Sequence, residues 1–230
     1  MHSDKLDNPA WYALTETHHK FAADYQGIKF YQQDYCVFGG FTEVAQTAKA
    51  IDTYASLTDD FYIIGQMPRF SDRVQIVQEL ICDQMVLRAP MTPKDTAHIV
   101  ALNSESSQQD LFSLVNLVQP GYFRKKTALL GDYYGIYADG ILVSAAGERM
   151  KMNEFTEISA IVTHPSYTGR GFASQLTAFV GNKIFAEDKT PFLHVAETNL
   201  KAIRLYEKLG FRFRRKISFW HFAGADFIKK

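Results

Sequence analysis

EISAIVTHPSYTGRGFASQL, residues 157–176, turns an apolar strand into an amphipathic helix through a glycine-bearing loop. Residues 155–164 carry apolar side chains on both faces, as a central strand does. After the loop, Phe172, Leu176, Phe179, Val180 and Ile184 fall on one helical stripe. Between them Gly169, Gly171 and Ala173 alternate with Arg170 and Phe172, so the backbone turns tightly and presents N–H groups outward. Those donors and the positive end of the helix dipole predict an anion site suited to a pyrophosphate, with Arg170 as a counter-charge. The loop lacks the Gly-Lys-Ser/Thr ending of a Walker loop and the spacing of a dinucleotide fingerprint.

Working outward, PFLHVAE at 191–197 is the next strand, and a strand, helix and strand in this order predict a right-handed crossover with two parallel strands. TNLKAIRLYEKLGF predicts a helix capped by Thr198 or Asn199 and stopped by Gly210, followed by aromatic-rich FRFRRKISFWHF. Upstream, YYGIYADGILVSAAGERM predicts a hairpin across Asp139-Gly140, and a turn near Met152-Asn153 leads into the central strand. DLFSLVNLV at 110–118 is a short helix ended by Pro120-Gly121. MTPKDTAHIVAL opens as a further helix, with Thr92 as cap and Pro93 in the first helical position. In the N-terminal part, YCVFGGF at 35–41 and FYIIGQ at 61–66 are strands each followed by a helical pattern, and QMVLRA at 84–89 closes the unit. The expected division is a small α/β unit at 1–88 and a larger one at 89–230, without a visible internal repeat.

With 230 residues and 47% hydrophobic content, the chain can bury one large core or two modest ones. Twenty-five basic residues balance twenty-five acidic ones, so no general field gathers nucleic acid. The charged N-terminus has no signal-like apolar core, and no stretch approaches a membrane span, so neither a leader nor a membrane role is expected. Cys36 and Cys82 stand far apart, which fits a reducing compartment and a cytoplasmic location. The histidines and cysteines have no metal-ligand spacing, and no metal is expected.

Thr168–Ala173, TGRGFA, resembles the Q/R-x-x-G-x-G/A signature of the GNAT superfamily of acyl-CoA-dependent N-acyltransferases. Thr168 departs from the usual Gln or Arg at the first position, which touches only a side-chain contact. VAETNLKAIRLYEKLGFR is similar to the family's next element, a strand, an Asn at a helix start and a Tyr before Leu-Gly-Phe. Asn199 and Tyr206 are seven residues apart and lie on one helical face, about 10 Å from each other. The resemblance covers roughly residues 85–222.

It implies a mixed α/β GNAT fold with a central mixed sheet, preceded by the smaller N-terminal unit on the acceptor side. It also implies transfer of an acyl group from an acyl-coenzyme A, with acetyl-CoA as co-substrate, to a primary amine of a small molecule or peptide. A module that binds coenzyme A without turnover is the alternative. Carried onto this chain, the coenzyme would meet Ile161, Val162 and Thr163 on the strand, Thr168, Gly169, Arg170, Gly171, Phe172, Ala173 and Ser174 at the loop and helix start, and Asn199 and Tyr206 beyond. A backbone N–H near Ile161–Thr163 would face the thioester oxygen. An alkyl amine titrates near 10 and must lose a proton before attack. Glu157 resembles the base of the histone-acetylating branch, with a solvated strand-end charge as the other reading and Glu148 as a competitor. Tyr206 would protonate the departing thiolate, although a Tyr among Ile203, Leu205 and Leu209 also reads as core packing. Tyr133, Tyr134 and Tyr137 would line the acceptor side, and His164 reads as a turn residue.

Overall fold

A computed structural model describes residues 3–25, 27–92 and 97–224. In its N-terminal part α1 (Pro9–Thr15) precedes the short strands β1 (Ala22–Asp24), β2 (Ile28–Tyr31) and β3 (Phe38–Phe41), then α2 (Thr47–Ala55), β4 (Asp60–Ile64) and the long β5 (Val74–Val86). There follow β6 (Ile99–Ala101), α3 (Glu105–Val118), β7 (Tyr133–Ala138), β8 (Ile141–Lys151) and β9 (Phe155–Thr163). The chain ends in α4 (Phe172–Ala186), β10 (Thr190–Ala196), α5 (Leu200–Lys208) and β11 (Arg212–Gly224). Among the described residues no helix is long and apolar enough to cross a membrane.

The strands make one continuous sheet in the order β1-β2-β3-β4-β11-β5-β10-β9-β8-β7-β6. The pairs β3/β4 and β9/β10 are parallel and the rest antiparallel, so the class is mixed α/β. Asp139 and Gly140, at φ 52° and 78°, close the β7–β8 hairpin with two left-handed residues. Asn199 caps α5 by accepting from Ala202 N at 3.2 Å, and Gly210 ends it at φ 97°.

The order hides a repeated connectivity that no sequence repeat marks. In each half three antiparallel strands lead through a crossover helix to a strand parallel to the third, and a long strand follows. The long strands are exchanged: β5 lies against β10 and β11 against β4, and the two pair with each other from Arg212↔Val86 to Gly224↔Val74. The two units expected from sequence thus share one sheet.

Two expected helices are corrected. The segment after β4 is no helix but β5, because VQIVQELICDQMV finds backbone partners on β11 along its length and on β10 over Cys82–Val86. Ile99–Ala101 is likewise a strand, paired with β7, whereas the proposed start at Pro93 lies outside the described residues. The helix begins at Glu105, where Ser104 and Ser107 satisfy each other's backbone N–H in a capping box.

Successive residues of a strand face opposite sides of the sheet. Leu193 and Val195 pack with Ile158 against Leu176, Val180 and Ile184 of α4, together with Tyr206 and Phe211. Phe192 packs the other way, with Leu14 of α1, Phe155 and Phe219. α3 covers Ala145, Ala160 and Val162.

Candidate active site

β9 and β10 pair only at Phe155↔Thr190, Thr156↔Pro191 and Glu157↔Phe192, then part. The divergence opens a cleft of about 350 Å³ between Ser159–Ile161 on one wall and His194–Ala196 on the other. Asn199, Ala202 and Tyr206 of the α5 segment line it, and Phe38, Tyr122 and Arg149 stand at its other end. A larger hollow, about 580 Å³, is lined by Thr17, His18 and Asp132.

Backbone register sets what β9 offers the cleft. Ala160 has φ 51° and sits in a bulge, where the pairing with β8 shifts between Ala145 and Gly147. Beyond it His164 N donates to Val143 O at 2.8 Å, so by alternation Val162 addresses β8 whereas Ile161 and Thr163 turn their polar groups to the open side. Of the three residues expected to meet the coenzyme, Val162 is therefore withdrawn: its side chain is in the α3 core and its carbonyl accepts from Ser144 Oγ at 2.7 Å.

Past β9 the chain makes the loop that the sequence singles out. Gly169 and Gly171 have φ 81° and 79°, a region that disfavours residues with a Cβ, and Gly171 is the N-cap of α4. A Cβ on Gly169 would meet no atom within 4 Å, and one on Gly171 only Gln175 Nε2 at 3.7 Å. Protein packing does not demand these glycines, so the space in front of the loop is what a ligand would use. The N–H groups of Phe172, Ala173 and Ser174 head the helix without intrahelical partners. Arg170 is exposed with its guanidinium 4.7 Å from the Tyr167 ring, and Thr168 donates to Pro165 O at 3.2 Å. These residues fit a pyrophosphate.

Tyr206 is 7% exposed and lines the cleft, and its hydroxyl has no partner among the described residues. Burial pushes its phenol well above the ordinary value, so it stays protonated across the working range. Asn199 spends its side-chain oxygen on the α5 cap, leaving its amide N–H groups for the cleft.

Glu157 is in the cleft wall but is not solvated. Arg149 Nε and Nη2 donate to its two oxygens, each at 2.8 Å, and His194 Nδ1 lies 2.8 Å from Oε1. Burial alone would raise this carboxyl, and the charge and hydrogen bonds of Arg149, with His194, pull it down to about 2. A carboxylate so held is a poor proton acceptor, and the role of direct base is corrected to that of an anchor for Arg149 and His194. Glu148 is no substitute. It bonds to Lys151 Nζ at 2.6 Å near Glu187 and Asp132, away from the cleft lining. Tyr133, Tyr134 and Tyr137 also miss the lining: Tyr133 lies over Gly147, Tyr134 packs on Phe179, and Tyr137 donates to Asp110 at 2.8 Å. His164 is a turn residue, accepting from Ser166 N at 3.3 Å. Arg149, His194 and Phe38 escaped the sequence reading. The available signal was an arginine and a histidine placed inside strands otherwise buried.

A family model described as FR47-like protein matches residues 133–220. Among solved structures, a GNAT-family protein from Novosphingobium aromaticivorans is 29% identical, with 95% of this chain and 98% of that one covered at a TM-score of 0.85. A GCN5-related N-acetyltransferase-like protein from Streptococcus suis is 15% identical over 95% and 96% of the two chains, at 0.64. A GCN5-related N-acetyltransferase from Kribbella flavida is 14% identical over 93% and 91%, at 0.60. No curated protein matches the sequence. The family model covers part of the C-terminal half, the first of these structures matches across both halves, and the chain is therefore similar to GNAT-family proteins over nearly its whole length.

Proposed function

We propose that the cleft binds an acyl-coenzyme A, with acetyl-CoA as donor, and that the acyl group passes to a primary amine by direct attack. The observation that carries this reading is the parting of β9 from β10, followed in the chain by a loop of outward backbone donors built on two left-handed glycines. The GNAT fold supports acyl transfer in general. A bound thioester supplies an activated carbonyl and a thiolate leaving group.

The residues then divide the work. Gly169, Gly171 and the first N–H groups of α4 hold the pyrophosphate, with Thr168 and Arg170 at the rim. Ile161 and Thr163 present backbone N–H groups toward the pantetheine arm and the carbonyl oxygen. Tyr206, protonated and facing the cleft, gives its proton to the sulfur as the C–S bond breaks, and the proton that the nitrogen sheds on forming the amide passes through solvent and restores the phenol. Glu157 is the one carboxylate among the described lining residues, and it is locked. The neutral fraction of the amine itself is therefore the attacking species, and the rate should climb with pH toward the amine's own pKa near 10. Phe38, Leu80 and Cys82 from the N-terminal half reach the far end of the cleft, which supports the acceptor binding there.

The test is a thermal shift with acetyl-CoA followed by single-turnover assays against an amine panel. A ligand that binds only the folded state raises Tm by mass action. Gly171→Val should remove the shift, and an unchanged shift would move the coenzyme elsewhere. A shift without turnover on any amine would leave a coenzyme-binding module.

A further inference from the structure

At the end of the cleft away from α4 stands a charge that acyl transfer does not use. Arg149 projects from β8 with its guanidinium 4.5 Å from the Phe38 ring, and its side chain is 13% exposed. An arginine keeps its charge and offers five N–H donors in a fixed fork. Here Nε and Nη2 are engaged by Glu157. Nη1 makes no hydrogen bond among the described residues, and Arg149 is one of the residues that line the cleft.

An open donor edge on a largely desolvated cation is matched by a carboxylate, which charge-assisted hydrogen bonds favour. Glu157 does not oppose such a guest at full strength, since its charge is shared between Arg149 and the His194 hydrogen bond. The surround is apolar or aromatic, with Phe38, Leu80, Tyr122 and Phe219 at this end. A cleft of about 350 Å³ that must also admit a thioester leaves room for a body of amino-acid size. Polyamines fit poorly, because the end of the cleft is cationic and its carboxylate is already paired.

We propose that Nη1 of Arg149 receives a carboxylate of the acceptor, which makes the acceptor a small amine bearing a free carboxylate and an apolar or aromatic body. The amine part rests on the acyl-transfer reading, whereas the carboxylate part can be tested without turnover. The full-length chain, saturated with coenzyme A, is titrated calorimetrically with N-acetyl derivatives of phenylalanine, leucine, methionine and glycine, each as free acid and as amide. The acids of the apolar members should bind about ten- to a hundred-fold more tightly than their amides, the span of a charge-assisted hydrogen bond. Arg149→Lys, which keeps a cation beside Glu157, should bring that ratio close to one. Equal affinities for acid and amide in the wild type, or no binding by any acid, overturn the proposal, and this outcome does not depend on whether the variant folds. A preference that survives in folded Arg149→Lys also overturns it. Discrimination between acid and amide with no acetylation of the parent amino acids would sink the acyl-transfer reading and leave the carboxylate site standing.

Discussion

Two crossovers in one sheet, β3–α2–β4 and β9–α4–β10, share a connectivity and differ in what lies between their parallel strands. In the first, a Cβ on Gly40 would fall 2.5 Å from Asn8 Oδ1 and 2.7 Å from Trp11 N, and one on Gly65 would fall 3.1 Å from Asp7 O. Those glycines make room for the chain's own N-terminal segment, and Asn8 Nδ2 donates to Phe41 O at 2.6 Å. In the second, Gly169 faces nothing within 4 Å. The same topology is closed by protein in one half and left open in the other. Glycine therefore marks tight packing in the first crossover and open space in the second. One coenzyme per chain is the expected stoichiometry.

The largest expected effect comes from separating the halves. A chain of residues 87–230 lacks β5, which bridges β10 and β11 and buries Cys82, Gln84, Met85 and Val86. Since β4 is missing as well, β11 would lose both of its strand partners and β10 would become a bare edge. Calorimetry should show no cooperative transition for this fragment. If it instead melts sharply and acetylates the acceptor with an unchanged KM, the N-terminal half is neither a structural partner nor part of the acceptor site.

Next comes a tyrosine from each crossover. Tyr206→Phe should lower kcat by about a hundred-fold to ten-thousand-fold with coenzyme affinity kept, as loss of a general acid does. Tyr54 on α2 is buried too, but its hydroxyl donates to Tyr31 O at 2.8 Å. Tyr54→Phe should cost about 1 kcal/mol of stability and leave kcat alone. Equal kcat for Tyr206→Phe and wild type, with chemistry rate-limiting, would make both tyrosines core residues.

The glycines sharpen the contrast further. Gly40→Ala pushes a methyl into backbone and should destabilise by about 1–3 kcal/mol without changing coenzyme Kd. Gly169→Ala meets no protein atom, so its cost to the fold is the left-handed penalty of about 1–2 kcal/mol, while the coenzyme-induced shift in Tm should largely disappear. Identical behaviour of the two variants would erase the distinction between packing and access.

These differences also show what a sequence can carry. The open crossover was legible because its signals are local: an apolar run, glycines before an amphipathic stripe, an Asn cap and Gly210. Asp139-Gly140 likewise named its own hairpin. β5 was not legible, since a strand whose partners lie more than a hundred residues downstream shows no short-range sign, and its spacing of Val74, Val77 and Ile81 imitates a helix. The Glu157 environment was hidden for a similar reason. Glu157 looked like a strand-end charge until Arg149 and His194, from the strands on either side, closed on it. The exchange of β5 and β11 is a property of pairing and leaves no repeat in the residues.

The effect that is smallest at neutral pH is an acid titration in which the halves act in separate windows. His18, carried on the segment after α1, is 3% exposed and hydrogen-bonded through Nδ1 to Tyr31 Oη at 2.9 Å. Burial lowers its pKa from 6.5 to about 4. The unfolded chain thus binds this proton before the folded one does. Stability from neutral His18 is complete above pH 6.5 and is lost as pH falls toward 4, by an amount on the order of 3 kcal/mol. Glu157 acts lower, because its depressed carboxyl contributes stability above about 4.5 that disappears as pH falls toward 2. Wild-type Tm should therefore decline in two stages. His18→Gln, which keeps a polar partner for Tyr31 but takes up no proton, should flatten the stage between pH 6.5 and 4 and preserve the one below. A variant that follows the wild-type curve through the upper window would show that His18 does not hold its neutral form by burial, and that the N-terminal segment is less firmly packed beneath the sheet than its contacts imply.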